Sequence, residues 1–295
     1  MPNPFSERLT NACIERKSFL VVGLDPRLNM LPEELITKSR TLFGNTLEGA
    51  AHAIWQFNRH LIDSLADIVP AVKPQVAFYE QLGLHGMKAF YDTVAYAKSK
   101  GLLVIVDAKR NDIGPVATCY AEAFLGEVEL WNGEKATPCG ADALTINPFL
   151  GGDSIKPFID TAHIYGAGLF ILVKTSNMGG KDLQDLNTAS GKLYERVGSL
   201  VDIWGNEDRD ARGYSSVGAV VGATFPKEAN RLRSIMKNSI FLVPGFGAQG
   251  AGAEDVVPCF NTDGLGAIVN SSRDVIFAFH KTSAPFGNAA RSKAR

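Results

Sequence analysis

Residues 102–112 read LLVIVDAKRND. An unbroken apolar run, Leu102 to Val106, passes directly into Asp107, Lys109, Arg110, Asn111 and Asp112. Apolar residues at every position, rather than at alternate ones, mark a strand buried on both faces, as in a parallel sheet. Side chains alternate along a strand, so Asp107 and Lys109 are expected to share a face. Asp112, three residues past Lys109, falls beyond the strand end and just ahead of the next helix. A buried strand gains nothing by ending in charge unless the charge has a use.

Seven more runs of the same kind flank this one. They are FLVVGLD (19–25), PAVKPQ (70–75), ALTINPF (143–149), GLFILVKTS (168–176), VGAVVGA (217–223), IFLVPGF (240–246) and GAIVNSS (266–272). Between them lie segments of helical period, clearest in 46–68, where Leu47, Ala50, Ile54, Phe57, Leu61, Leu65 and Ile68 form one apolar stripe. The segments 80–100, 115–126, 153–165, 186–204, 226–238 and 273–281 also read as helices. Eight strands alternating with helices predict a (β/α)8 barrel of the TIM type. A doubly wound open sheet would want a GxGxxG turn after an early strand, and the sequence has none there. The expectation is one α/β domain over 1–295, with the barrel core at 18–281. Residues 26–45 are expected to be a long loop, 127–141 an insertion before the fourth strand, and 282–295 a frayed basic tail.

Composition narrows the function classes. Of 295 residues, 45% are hydrophobic and 21% charged, and 30 Lys plus Arg against 31 Asp plus Glu leave a net charge of −1. That excludes a disordered or fibrous chain and gives no basic field for nucleic acid or an anionic membrane. No apolar run approaches the ~20 residues of a membrane span, and the first residues lack the apolar core of a secretory signal. Cys13, Cys119, Cys139 and Cys259 are widely spaced, which suits reduced thiols and a cytoplasmic protein. The five histidines show no metal-binding spacing; His52 and His60 sit off the apolar stripe and are expected at the surface. Trp55, Trp131 and Trp204 are scattered and expected to pack.

Active sites in such barrels form at the C-terminal ends of the strands. Polar residues collect there: Asp25 after the first run, Lys73 in the second, Asp107 and Lys109 in the third, Asn147, Thr175 and Ser176, and Asn270 to Ser272. With Lys73 from the adjacent strand, an alternating Lys–Asp–Lys–Asp array becomes possible. A structural salt-bridge network is the plainer use of the same residues. PGFGAQG (244–250), after the seventh run, and Arg273, after the eighth, stand where this fold commonly binds phosphate. Glycines such as Gly247 let backbone amides approach an anion, Gln249 adds an amide and Arg273 a two-pronged cation. NPFLGGDS (147–154) is flexible enough for a lid.

At these motifs the chain resembles the orotidine 5′-phosphate decarboxylase family, in its longer type 2 form. The likeness runs in order through GLDPR (23–27), VKPQVAFYE (72–80), DAKRNDIG (107–114), NPFLGGDSIKPF (147–158), VKTSN (173–177), VVGATFP (220–226) and PGFGAQG (244–250). The resemblance implies decarboxylation of orotidine 5′-phosphate to uridine 5′-phosphate, with no metal and no organic cofactor. It implies Asp25 on the ribose hydroxyls, Lys73 between ribose and acids, Asp107 against the substrate carboxylate, and Lys109 as proton donor. It further implies Ser176 on the pyrimidine, Gln249 and Arg273 on the phosphate, and a homodimer in which Asp112 enters the other subunit's site. Two departures stand out. After DIG the chain has Pro115-Val116, where the family commonly carries a ribose-binding hydroxyl, leaving Thr118 as the candidate substitute. VNSSR also spaces Arg273 differently from the VGR of many relatives. Rival expectations are a magnesium-dependent sugar-phosphate decarboxylase or aldol-type synthase, a Schiff-base aldolase using Lys109 or Lys73, and a silent nucleotide-binding barrel.

Overall fold

Strands form at all eight apolar runs of the chain: β1 Leu20–Leu24, β2 Ala71–Pro74, β3 Leu103–Arg110, β4 Ala143–Ile146, β5 Gly168–Lys174, β6 Ser215–Val221, β7 Ser239–Val243 and β8 Ala267–Ser271. They hydrogen-bond in the order β1-β8-β7-β6-β5-β4-β3-β2, a closed barrel. The computed structural model describes residues 2–189, 191–247 and 252–295. Every residue of β2, β4, β6, β7 and β8 is buried, which is why these strands carry no polar alternation. Contacts gather the chain into two compact units, Glu15–Ala108 with Ser271–Arg295, and Met1–Ile14 with Lys109–Asn270. Among the described residues no helix is long and apolar enough to cross a membrane. All four cysteines are free thiols.

In the first unit, β1 pairs with β2 from Val21↔Ala71 to Leu24↔Pro74, and β2 with β3 at Ala71↔Leu103 and Val72↔Val104. The longest helix, Leu47–Leu65, starts where the Thr46 side chain accepts the Gly49 amide at 3.0 Å. Such a cap is worth about 1 kcal/mol. Ile54, Phe57, Leu61 and Leu65 of the expected stripe are fully buried. Leu47, in the first turn, is exposed instead. His52 is half-buried rather than at the surface, its Nδ1 2.9 Å from the Ser39 hydroxyl and its ring against Phe43.

Two expectations in this unit fail. Residues 26–45 are not a plain loop: a helix spans Glu33–Phe43, with Glu33 and Glu34 placed to suit its positive end. It buries only Leu35 and Ser39, too few positions to register as an apolar period. Nor is 282–295 frayed. A helix, Phe286–Ala294, lies on Leu47–Leu65 and buries Phe286, Ala289 and Ala290. Phe286 joins Phe57 at 5.4 Å, and Arg291 donates to both Asp67 oxygens and to the Ser64 carbonyl. One aromatic and two alanines among basic residues are a weak sequence signal but a sufficient anchor. The segment 273–281 divides into a turn of helix at Arg273–Ile276 and a 3-10 turn at Ala278–Lys281.

In the second unit the chain's start packs under β4 to β6. Phe5 meets Phe170 edge-on at 5.9 Å, and a Cβ on Gly168 would fall 2.1 Å from its ring, so β5 must begin with glycine. The Ser6 amide donates to the Ser216 hydroxyl at 3.2 Å, and Arg8 pairs with Asp142 at 2.6 Å. The insertion at 127–141 folds as a hairpin of Val128–Glu129 with Lys135–Ala136. Trp131 at its tip is 100% exposed, contrary to the packing expected of it. Two-residue strands bordered by Glu, Asn, Gly and Lys offer an indole nothing apolar to rest on. Helix Leu193–Trp204 is shorter than the expected 186–204, because Asn187–Thr188 and Gly191–Lys192 form a second small hairpin.

Candidate active site

Four of the expected site residues, Asp25, Lys73, Asp107 and Arg273, lie in the first unit, and backbone pairing sets the heights of the first three. Gly23 pairs with Lys73, the Gln75 amide reaches the Leu24 carbonyl at 3.4 Å, and the Val76 amide reaches the Asp107 carbonyl at 3.2 Å. Asp25, Lys73 and Asp107 therefore stand together at the C-terminal ends of β1, β2 and β3. Lys73 Nζ donates to Asp107 Oδ2 at 2.6 Å, with the two residues 5% and 8% exposed. Asp25 Oδ1 is buried with no hydrogen-bond partner among the described residues. Burial alone would lower the Lys73 pKa. The charges of Asp107 and Asp25, with the hydrogen bond from Lys73 to Asp107, outweigh it and hold the ammonium above its usual value. Lys73 thus faces two carboxylates at once.

A buried polar chain braces this corner. Asn58 Nδ2 donates to the Tyr79 hydroxyl at 2.8 Å and to Thr93 Oγ1 at 3.1 Å, and Tyr79 donates to the Leu24 carbonyl at 3.3 Å. Desolvation raises the Tyr79 pKa, and the Asp25 charge adds to it, so the phenol remains a donor. It fixes the carbonyl immediately before Asp25. Sequence reasoning missed this chain, although Asn58 beside Phe57 on a buried helix face was a visible signal. Arg273, in the same unit, is exposed at the start of its short helix.

The second unit carries Lys109, Asp112, Thr118, Ser176 and Gly247. Lys109 is exposed near the end of β3 and has φ +50°, so strand alternation does not carry through it. The shared face expected of Asp107 and Lys109 assumed an extended backbone that this residue does not have. Asp112 is half-buried and accepts the Ile113 amide at 2.8 Å. Thr118 is half-buried on helix Gly114–Leu125, while Val116 is exposed. Two helical residues stand about 200° apart around the axis, so the Thr118 hydroxyl does not face where Val116 does.

Ser176 comes after β5, where the register against β6 slips between Val220↔Leu172 and Val221↔Lys174. The extra residue, Val173, is a bulge that re-aims the side chains beyond it. Lys174 thereby becomes 1% exposed, bonded to Asp185 and lying 5.2 Å and 4.7 Å from the rings of Tyr194 and Phe225. The Thr175 amide donates to Gln184 Oε1 at 3.0 Å, and Gln184 Nε2 returns a bond to Thr175 Oγ1 at 2.8 Å. Gly222 permits close approach here, since a Cβ on it would lie 2.8 Å from the Ser176 backbone. Gly245 and Gly247 after β7 have φ of +100° and +73°, as an amide-lined turn requires. Gln249 lies outside the described residues.

A parallel eight-stranded barrel that carries a buried Lys–Asp cluster at its strand ends has the architecture of a barrel enzyme. The comparisons fix the family. Residues 18–284 match the model of the orotidine 5′-phosphate decarboxylase / HUMPS family, and the chain belongs to it. It is 46% identical over 280 residues to an orotidine 5′-phosphate decarboxylase of Rhodopirellula baltica, covering 94% of this chain and 89% of that one. To a protein of the same name from Caldicellulosiruptor bescii it is 41% identical, covering 93% and 90%. Among solved structures, the OMP decarboxylase of Leishmania donovani superposes with a TM-score of 0.74 at 29% identity, covering 98% of this chain and 95% of that chain.

Proposed function

We propose that this chain converts orotidine 5′-phosphate to uridine 5′-phosphate and carbon dioxide, the last step of UMP biosynthesis de novo, in the cytoplasm and as a homodimer. The observation that carries the reading is the buried Lys73–Asp107 bond beside Asp25. It holds a carboxylate in place against a substrate that is itself a carboxylate. Two like charges ~4 Å apart are worth about 4 kcal/mol at an effective dielectric near 20. That repulsion is relieved as carbon dioxide leaves.

The carbon–carbon bond breaks with its electron pair left on the ring carbon. Lys109 is the group that meets this charge, first as an ammonium and then as the proton donor, and it regains its proton from solvent. Asp25 takes ribose hydroxyls and Lys73 bridges ribose and acids. Ser176 contacts the pyrimidine; Gly247, Gln249 and Arg273 hold the phosphate. Phosphate binding, remote from the bond that breaks, supplies energy for closing loops over the site.

The homodimer places Asp112 in its partner's site. Support comes from exposed apolar side chains on the segments that follow β3 and β4: Ile113 and the helical Val116 after β3, and Phe149 and Leu150 after β4. The family also includes HUMPS members, and a magnesium-dependent sugar-phosphate reaction would put Asp107 on the metal. Asp107 Oδ2 is engaged by Lys73 instead, which favours decarboxylation.

The test is absorbance of orotidine 5′-phosphate with purified protein in excess EDTA. Loss of the orotate band with formation of uridine 5′-phosphate is the expected result. A spectrum that changes only after magnesium is restored moves the assignment to the metal-dependent reaction. For the shared site, Lys109→Ala and Asp112→Ala proteins, each impaired alone, should regain turnover on mixing, because hybrid dimers contain one intact site.

A further inference from the structure

Among the described residues, two that are not glycine have a positive φ, Lys17 and Lys109, both at +50°. Lys17 directly follows helix Phe5–Arg16, where a left-handed residue is an ordinary way to end a helix. Lys109 has no such excuse. It stands near the end of a strand, where an L residue in this region brings its Cβ against the backbone carbonyl. Strain of this kind persists only where the surroundings over-determine it.

The surroundings are specific. The Lys109 amide donates to Thr145 Oγ1 at 3.0 Å. Thr145 is 1% exposed in β4 and locked in register with Phe170 of β5. One residue on, the Asn147 amide donates to the Arg110 carbonyl at 3.1 Å, so the turn at Lys109 is held on both sides by the strand beside it. The hydroxyl faces along its own strand's neighbour, which a valine at 145 would match in shape but not in chemistry.

We propose that Thr145 is a positioning residue for Lys109: its hydroxyl oxygen accepts the hydrogen bond of the Lys109 amide and fixes the left-handed turn that sets the direction in which the ammonium leaves β3. This rests on the reading of Lys109 as proton donor. Aim matters at that site, since displacement of a reacting group by ~1 Å can cost a hundredfold in rate. A Thr145 that acts only in packing would leave the aim of Lys109 untouched.

The experiment compares Thr145→Val, which keeps the shape, with Thr145→Ser, which keeps the acceptor. In Thr145→Val, kcat on orotidine 5′-phosphate should fall about 10- to 100-fold while KM and uridine 5′-phosphate affinity change little, and Thr145→Ser should restore kcat. Thr145→Ala serves where the valine protein is not recovered folded. A crystal structure of the Val or Ala variant should show Lys109 leaving the left-handed region. An unchanged kcat per folded molecule, or a Lys109 that keeps φ near +50° without the hydroxyl, overturns the proposal. Should the wild-type enzyme fail to consume orotidine 5′-phosphate, the functional reading falls separately, and the backbone conformation still decides whether Thr145 sets Lys109.

Discussion

Two buried lysines end two strands of this barrel, and they are built to opposite purposes. Lys174 has one carboxylate, Asp185, and two aromatic faces, from Tyr194 and Phe225. Its charge is matched, and Asp185 itself reaches solvent. Lys73 bonds to Asp107 and also feels Asp25, one of whose oxygens is buried without a partner among the described residues. Lys174 serves one carboxylate; Lys73 serves two. Burial and an ion pair do not by themselves distinguish a strut from a site, whereas one cation held between two carboxylates at the strand ends does.

The largest expected effect breaks this comparison if it is wrong. Lys73→Met removes the cation that Asp107 and Asp25 share, and stripping one partner from a buried pair costs about 3–5 kcal/mol. Turnover should drop about a thousandfold or more, on the scale of losing one preorganised charge. Lys174→Met should cost about 1 kcal/mol, because Asp185 can hydrate and the lost cation–π contacts are modest. Turnover should stay within several-fold, since Gln184 still laces the segment through Thr175. Denaturant melts and kcat/KM of both variants decide it; equal losses of turnover would erase the distinction. The pH dependence has a definite sign. The Lys73 pKa is raised from 10.5, so the pair's contribution is complete below that value and is lost only above it. The deficit of Lys73→Met should therefore be flat from about pH 6 to 9.

The sequence shows one of these lysines more readily than the other. Lys73 interrupts a short apolar run next to a second run that ends in Asp107, so chain order alone suggests an array. Lys174 extends GLFILVK in the same manner, yet its partner comes from a polar stretch eleven residues on, and the bulge at Val173 that re-aims it has no sequence signature. The eight strands were legible because burial on both faces leaves continuous apolar runs. The helix at Glu33–Phe43 and the helix at Phe286–Ala294 were not, because each is anchored by two or three residues. The left-handed Lys109 was invisible for a different reason: lysine is not a residue whose identity announces that conformation. Thr145 was equally silent, a threonine amid a buried strand that looks like any β-branched residue.

Lys109 sharpens the comparison as a third lysine, exposed and strained where the other two are buried and relaxed. Any substitution there removes the ammonium, so Lys109→Ala and Lys109→Gly should both lose turnover while retaining uridine 5′-phosphate binding. Their stabilities should differ. Alanine inherits the left-handed penalty of about 1–2 kcal/mol, which glycine escapes. Against this stands glycine's greater freedom in the unfolded chain, about 0.4–1 kcal/mol. The glycine variant should thus be the more stable by several tenths to about 1 kcal/mol. An alanine variant that equals or exceeds it would show that Lys109 holds its conformation without strain.

At the small end of the scale stands an ion pair in water. Arg291 donates to both oxygens of Asp67, and this hydrogen bonding holds the Asp67 pKa at about 2 against slight opposing desolvation. The carboxyl is depressed when folded, so its contribution is present above about pH 4 and is lost as the pH falls toward 2. Its size is another matter. Asp67 is largely exposed, and solvent and salt screen such pairs to about 0–1 kcal/mol. Arg291→Met should lower stability only slightly at pH 7 in low salt, and less in 0.5 M salt, with turnover unaffected. Thermal melts of the two proteins should differ less at pH 2.5 than at pH 7. A loss of several kcal/mol at pH 7 would mean that the short C-terminal helix depends on this pair rather than on Phe286 against Phe57, and that an exposed pair in this fold behaves like the buried one at Lys73.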